Sequence, residues 1–141
     1  MINTVNSDIC HDLFSLSLDF LHRADFGIGW LWNNIQNHPV LANDTIMICM
    51  PEHGRNLQSN SLTDSNGFGA YDHTGTDNAR RIFTLVVGPP DKVVQDRSLG
   101  NPSTPVAESI DAVPTIAKIL GFDDQIPAGL LPGRFLNEAF V

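Results

Sequence analysis

Cysteine is scarce in this chain, with Cys10 and Cys49 alone among 141 residues. Two are too few for a disulfide framework, and each sits beside apolar neighbours, which marks buried free thiols rather than bridges. Basic residues are also few: 8 lysines and arginines face 16 aspartates and glutamates, for a formal charge of -8. That balance argues against a broad nucleic-acid or anionic-membrane surface, since both need basic patches. An anionic small-molecule substrate stays open, because a bound cation would dominate the field at its site. No apolar run approaches the roughly 18–20 residues of a bilayer-spanning helix. The N-terminal Met1-Ile2-Asn3-Thr4-Val5 lacks the basic-then-apolar pattern of a signal peptide. It reads as the middle of a strand, so the chain is expected to begin partway through a larger fold.

What is present is ordinary globular material. Hydrophobic residues make up 42% and charged residues 17%, enough apolar surface for one core and one domain spanning 1–141. After Met1–Val5, the segment Asn6-Ser7-Asp8 supplies loop and capping chemistry. Apolar residues at Leu13, Phe14, Leu16, Leu18, Leu21, Ile28, Leu31 and Ile35 predict a helix from Asp12 to about Asn37. Gly27 and Gly29 weaken it, and Asn37-His38-Pro39 ends it, because proline disfavours helix in the residue before it. Asn43-Asp44 turns into a predicted strand, Thr45–Met50. Residues 54–81 are rich in Asn, Ser, Thr, Asp and Gly, and an unstructured loop of that length is uncommon unless functional or disordered. A second buried strand is predicted at Ile82–Val87, closed by Gly88-Pro89-Pro90, and a short one near Lys92–Gln95. Ala107–Leu120 reads as a helix, with Ser109 or Asp111 as cap, Pro114 in its first turn and Gly121 as its stop. Helix and strand alternate as in α/β folds.

Candidate ligands fall in three places: Asp8 with His11, Glu52 with His53, and His73. Each follows a short strand or opens a loop. Pro51-Glu52-His53-Gly54 stands at the end of a predicted strand, where α/β sheets usually hold ligands. Imidazole nitrogen and carboxylate oxygen are the ligand set of hydrolytic zinc, manganese or iron sites. Plain readings stand beside these. Asp8 also suits a helix N-cap, His11 a first-turn helix residue, Glu52-His53 a solvated turn and His73 an ordinary loop position. Asp72 fits either a ligand or the partner that orients His73. Cys10 suits burial, and His22 and His38 have no assigned role.

The order of these pieces resembles the C-terminal half of the alkaline phosphatase/sulfatase-like superfamily. The pieces are Asp8-Ile9-Cys10-His11, Thr45–Gly54, His73, Leu85-Val86-Val87-Gly88-Pro89, and Ile110-Asp111-Ala112-Val113-Pro114-Thr115-Ile116 through Leu120-Gly121. The resemblance implies a partial α/β sandwich, a mostly parallel sheet with flanking helices. It implies a hydrolase of phosphate, sulfate or phosphonate esters, with divalent ions as cofactors: zinc first, manganese, calcium or iron as alternatives. Asp8, His11 and His73 match the ligands of one ion, and Glu52 and His53 the pair that completes the ligand set of a second ion. The family's nucleophile comes from an N-terminal half that this chain lacks, so no catalytic residue is assigned and a missing half is the expected partner. Two positions differ from the pattern: Glu52 stands where the family usually has Asp, and Asp8 and His11 are one residue closer than usual. The competing expectation is a non-catalytic remnant or interaction domain of the same fold.

Overall fold

In a computed structural model the described residues are His11, 13–101 and 103–141. The predicted strand Met1–Val5, Asp8 and Cys10 lie outside them. The chain divides into two compact units, Met1–Leu85 and Val86–Val141, although its sequence shows no linker. Helices are α1 (Phe14–Gln36), α2 (Asp77–Arg80) and α3 (Ala112–Leu120); strands are β1 (Met47–Cys49) and β2 (Leu85–Val87).

The expected sandwich with a mostly parallel sheet is not what forms. Among the described residues the sheet has two strands, β1 and β2, of three residues each. The apolar runs Thr45–Met50 and Ile82–Val87 were long enough to predict strands, but pairing needs partners as well as apolar character. A parallel sheet requires central strands paired on both sides and covered on both faces, and two strands provide no central strand. Phe83 is accordingly exposed. The strand expected at Lys92–Gln95 reduces to one isolated bridge between Val93 and Phe140.

In the first unit, α1 forms where the apolar periodicity places it and stops at Asn37, whose N–H donates to the Asn33 carbonyl at 3.1 Å. The start of α1 is held from a distance. Leu13 stands at the N-cap without a side-chain acceptor. Instead the Asp64 carboxylate accepts from the Ser15 N–H at 2.9 Å and from the Ser15 hydroxyl at 2.8 Å. A carboxylate there satisfies an orphan donor and complements the positive end of the helix dipole. The other Asp64 oxygen accepts from the N–H groups of Asn66 and Phe68 at 2.9 and 3.1 Å. One buried side chain thus ties a loop to a helix.

These donors, the Ser15 N–H foremost, pull the Asp64 carboxyl from an ordinary 3.8 down to about 2. A depressed carboxylate stabilises the fold fully above its unfolded value and loses that contribution as pH falls towards its folded value. Asp64→Asn is therefore expected to lower the melting temperature by several degrees at neutral pH. Between about pH 4 and about pH 2 the gap to the parent chain should narrow, because the parent carboxylate protonates there. Thermal melts of both proteins across that window check this.

In the second unit, two polar residues of the 110–116 segment are buried and hold the C-terminal tail. Glu108 and Asp111 form a reciprocal capping box ahead of α3. Asp111 accepts from the Glu108 N–H at 2.9 Å and, with its other oxygen, from the Arg134 N–H at 2.8 Å. Thr115 Oγ1 accepts from the buried Leu136 N–H at 3.0 Å. Tail and helix approach so closely at Gly133 that a Cβ there would meet the Ile110 carbonyl at 2.6 Å. Gly121, with φ 72°, closes α3 in the left-handed region as predicted. Val93, Ala117, Leu136 and Ala139 are the buried apolar residues of this unit. Asp111→Ala strands two backbone donors, at about 1–3 kcal/mol each, and Thr115→Val strands one. Chemical denaturation should rank the parent above Thr115→Val, and Thr115→Val above Asp111→Ala.

Candidate functional site

Residues 54–81 carry the site, and they are a folded-back excursion rather than an open loop. Asp64-Ser65-Asn66-Gly67 makes the turn: the Gly67 N–H donates to the Asp64 carbonyl at 3.0 Å, and Gly67 takes φ 84°. Around it the chain pairs irregularly with itself. The Asp64 N–H donates to Phe68, Ala70 to Leu62, Asn60 to Ala70 and Asn56 to Asp72, at 2.8 to 3.0 Å. Further out, the Gly54 N–H donates to the Ala79 carbonyl at 2.8 Å. This pairing carries His53 back towards His73, twenty residues downstream.

Gly54 is required by that closure. A Cβ at Gly54 would collide with the Asn78 carbonyl oxygen and lie 2.6 Å from that of Arg81. Both obstacles are backbone of α2 and its exit, so neither can swing aside. Thr76 fixes α2 from the other end: its hydroxyl accepts from the Ala79 N–H at 3.3 Å and donates to Asn56 Oδ1 at 2.6 Å. Asn56 in turn donates to the Thr74 carbonyl at 3.2 Å. On the other side, Phe14 at the start of α1 packs against Tyr71, with ring centroids 4.9 Å apart.

Three of the five predicted ligands meet here. The His53 and His73 rings stack with centroids 4.0 Å apart and planes 24° from parallel. The His11 ring is tilted 58° to that of His73, with centroids 4.8 Å apart. His11 Nδ1 lies 2.9 Å from Asp72 Oδ1. Asn60 Nδ2 donates both to that oxygen, at 3.3 Å, and to the His11 carbonyl, at 3.0 Å. The hydrogen bond from His11, then that from Asn60, holds the Asp72 carboxyl below the usual carboxylate range. Asp72 is thus ionised, and an ionised carboxylate only accepts, so His11 Nδ1 must carry the proton. The same reasoning applies to His53, whose Nδ1 lies 2.9 Å from the Gly54 carbonyl oxygen. A neutral imidazole that donates from Nδ1 carries its lone pair on Nε2.

Asp72 lies against His11; the sequence offered it as a ligand or as the partner that orients the adjacent His73. Glu52 is exposed beside His53, and Asp8 lies outside the described residues. Asn60, Asn56, Thr76 and Asp64 were missed as positioning residues. The hairpin signal Asp64-Ser65-Asn66-Gly67 was the clue, since it folds 54–63 onto 69–79.

The donor chemistry suits a divalent ion. Histidines that bind metal are ordinarily held by donating their other ring N–H to a carboxylate or a backbone carbonyl, as His11 and His53 do here. The spatial arrangement, by contrast, is a packed cluster. Lone pairs of imidazole lie in the ring plane, and two nearly parallel rings direct them along separate planes. Among the described residues, no three His, Cys, Asp or Glu side chains are arranged to hold one metal ion. Asp72 and His11 are 40% and 34% exposed at their side chains, so solutes reach the cluster from solvent. No family model, curated protein or solved structure matches the chain.

Proposed function

We propose that the histidine cluster is the metal-binding part of a hydrolase of phosphate, sulfate or phosphonate esters. One observation carries this reading. Three histidines distant in sequence meet ring to ring, two of them with Nδ1 2.9 Å from an oxygen. With the packed rings rearranged, His11 and His73 with Asp8 would hold one divalent ion, and His53 with Glu52 part of a second. When bound, such an ion offsets negative charge on an ester's non-bridging oxygens.

The chain's own residues have positioning roles. Asp72 fixes the His11 tautomer and Asn60 fixes Asp72; Gly54 lets the His53 segment seat against α2. No residue of the sequence matches the family's nucleophile, so in this reading the nucleophile comes from another polypeptide segment. The chain alone is expected to hydrolyse nitrophenyl phosphate or sulfate weakly at most.

A second reading, a non-catalytic histidine cluster, is favoured by the His53–His73 stack, which turns ring faces rather than lone pairs towards each other. Thermal melting with and without Zn2+ separates the two. A ligand at a hundred times its dissociation constant adds about 2.7 kcal/mol to stability. The metal reading expects a rise in melting temperature that His73→Ala abolishes; the other expects none.

A further inference from the structure

We infer that Asn66 is a site of spontaneous covalent modification, at which the side-chain carbonyl carbon closes on the Gly67 nitrogen and ammonia is lost. Asn66 is the one asparagine in the sequence followed by glycine. Ring closure needs the next residue's nitrogen to reach Asn66 Cγ, and a side chain on that next residue obstructs it. Glycine has none. The surroundings of Gly67 are open as well, since nothing lies within 4 Å of where a Cβ would stand. Both residues are exposed at the tip of the 64–67 turn, and Asn66 Nδ2 donates to Ser15 Oγ at 2.9 Å.

The Gly67 N–H donates to the Asp64 carbonyl at 3.0 Å. That bond must open first, which an exposed loop tip does at little cost. The freed N–H gives its proton to solvent base, and its nitrogen bonds to Asn66 Cγ. The bond from Cγ to Nδ2 then breaks, and the nitrogen takes a proton back from solvent and leaves as ammonia. Water adds to one of the two carbonyls of the resulting succinimide. Attack at Cγ gives aspartate; attack at the main-chain carbonyl gives isoaspartate, whose backbone runs through Cγ. One water is consumed and one ammonia released, with no change of oxidation state.

Either product strikes the polar knot at the start of α1. Ser15 Oγ gives its only proton to Asp64, so it accepts from the Asn66 amide but has nothing to donate to a carboxylate. An aspartate at 66 therefore faces the ionised Asp64 with no donor between them. Isoaspartate does more, because it adds a methylene to the backbone between the N–H groups of residues 66 and 68. Those two groups reach the same Asp64 oxygen, at 2.9 and 3.1 Å, and the added atom breaks that spacing. The turn that folds 54–63 onto 69–79 loosens, and with it the approach of His53 to His73. None of this depends on what the histidine cluster binds.

The test is incubation of the full chain in warm, mildly alkaline buffer, followed by digestion and fragmentation mass spectrometry. The expected result is loss of the Asn66 amide ahead of every other asparagine, with isoaspartate among the products. A second melting transition should grow in alongside it, several degrees below that of the fresh protein. Asn66→Gln, whose longer side chain closes a less favoured six-membered ring, should keep a single transition through the same incubation. Three results would overturn the inference: an Asn66 amide still intact after other asparagines have changed, loss at Asn66 only once denaturant has unfolded the chain, or a modified fraction that melts with the fresh protein.

Discussion

Gly54→Ala is expected to be the most damaging single-methyl change in the first unit. The added Cβ has nowhere to go, because the Asn78 and Arg81 carbonyls occupy its place. Overpacking of this kind costs about 1–3 kcal/mol and more when only backbone can yield. The site should suffer beyond the loss of stability. The Gly54 N–H bond to the Ala79 carbonyl, 2.8 Å long, anchors the segment carrying His53, and the Gly54 carbonyl accepts from the His53 ring. Pushing Gly54 away from α2 moves both. The expected result is a lower melting temperature together with shifted His53 and His73 ring resonances, since each ring lies in the other's ring current. A variant with parental melting and parental histidine spectra would show that the close approach does not exist.

Asp72→Asn should act on the site with little effect on the fold. The isosteric amide can still accept from His11 Nδ1 through its oxygen, so the ring stays in place. What disappears is the negative charge that makes Nε2 a stronger donor to a cation. Loss of an oxygen partner behind a metal-binding histidine typically costs about 10–100-fold in metal affinity. A fall in Zn2+ affinity in that range, with unchanged melting of the metal-free protein, is the expected outcome. Asp72→Ala should lose more, because the carboxylate oxygen that accepts from both His11 and Asn60 is then removed. Equal affinity in all three proteins would remove Asp72 from the site.

Sequence reading went furthest where local chemistry decides. The helix over 14–36 and the α3 stop at Gly121 follow from periodicity and from glycine's tolerance of positive φ. His11, His53 and His73 were singled out as residues with a shared chemistry, and they do meet. The sheet was over-read, because an apolar run such as Ile82–Val87 does not show whether partner strands exist to pair it. Positioning residues were invisible for a different reason. Asp64 acts on Ser15 across 49 residues and Asn60 on the His11 carbonyl across the same separation, and nothing local to either residue announces the partner. Only the hairpin turn at Asp64–Gly67 hinted that two distant stretches would lie side by side. The Asp111 and Thr115 pair likewise looked like a family signature, and its physical work is to hold Arg134 and Leu136.

The most direct measurement is calorimetric titration of Zn2+ into the parent chain and into His11→Ala, His53→Ala and His73→Ala. If the histidines hold divalent cations, the parent binds with a defined stoichiometry near neutral pH. Each alanine variant should then lose at least about tenfold in affinity, the order of effect seen for partners of metal-binding histidines. Absence of binding heat in the parent, or one unchanged isotherm across all four proteins, would leave the stack as packing alone and contradict the metal-site reading.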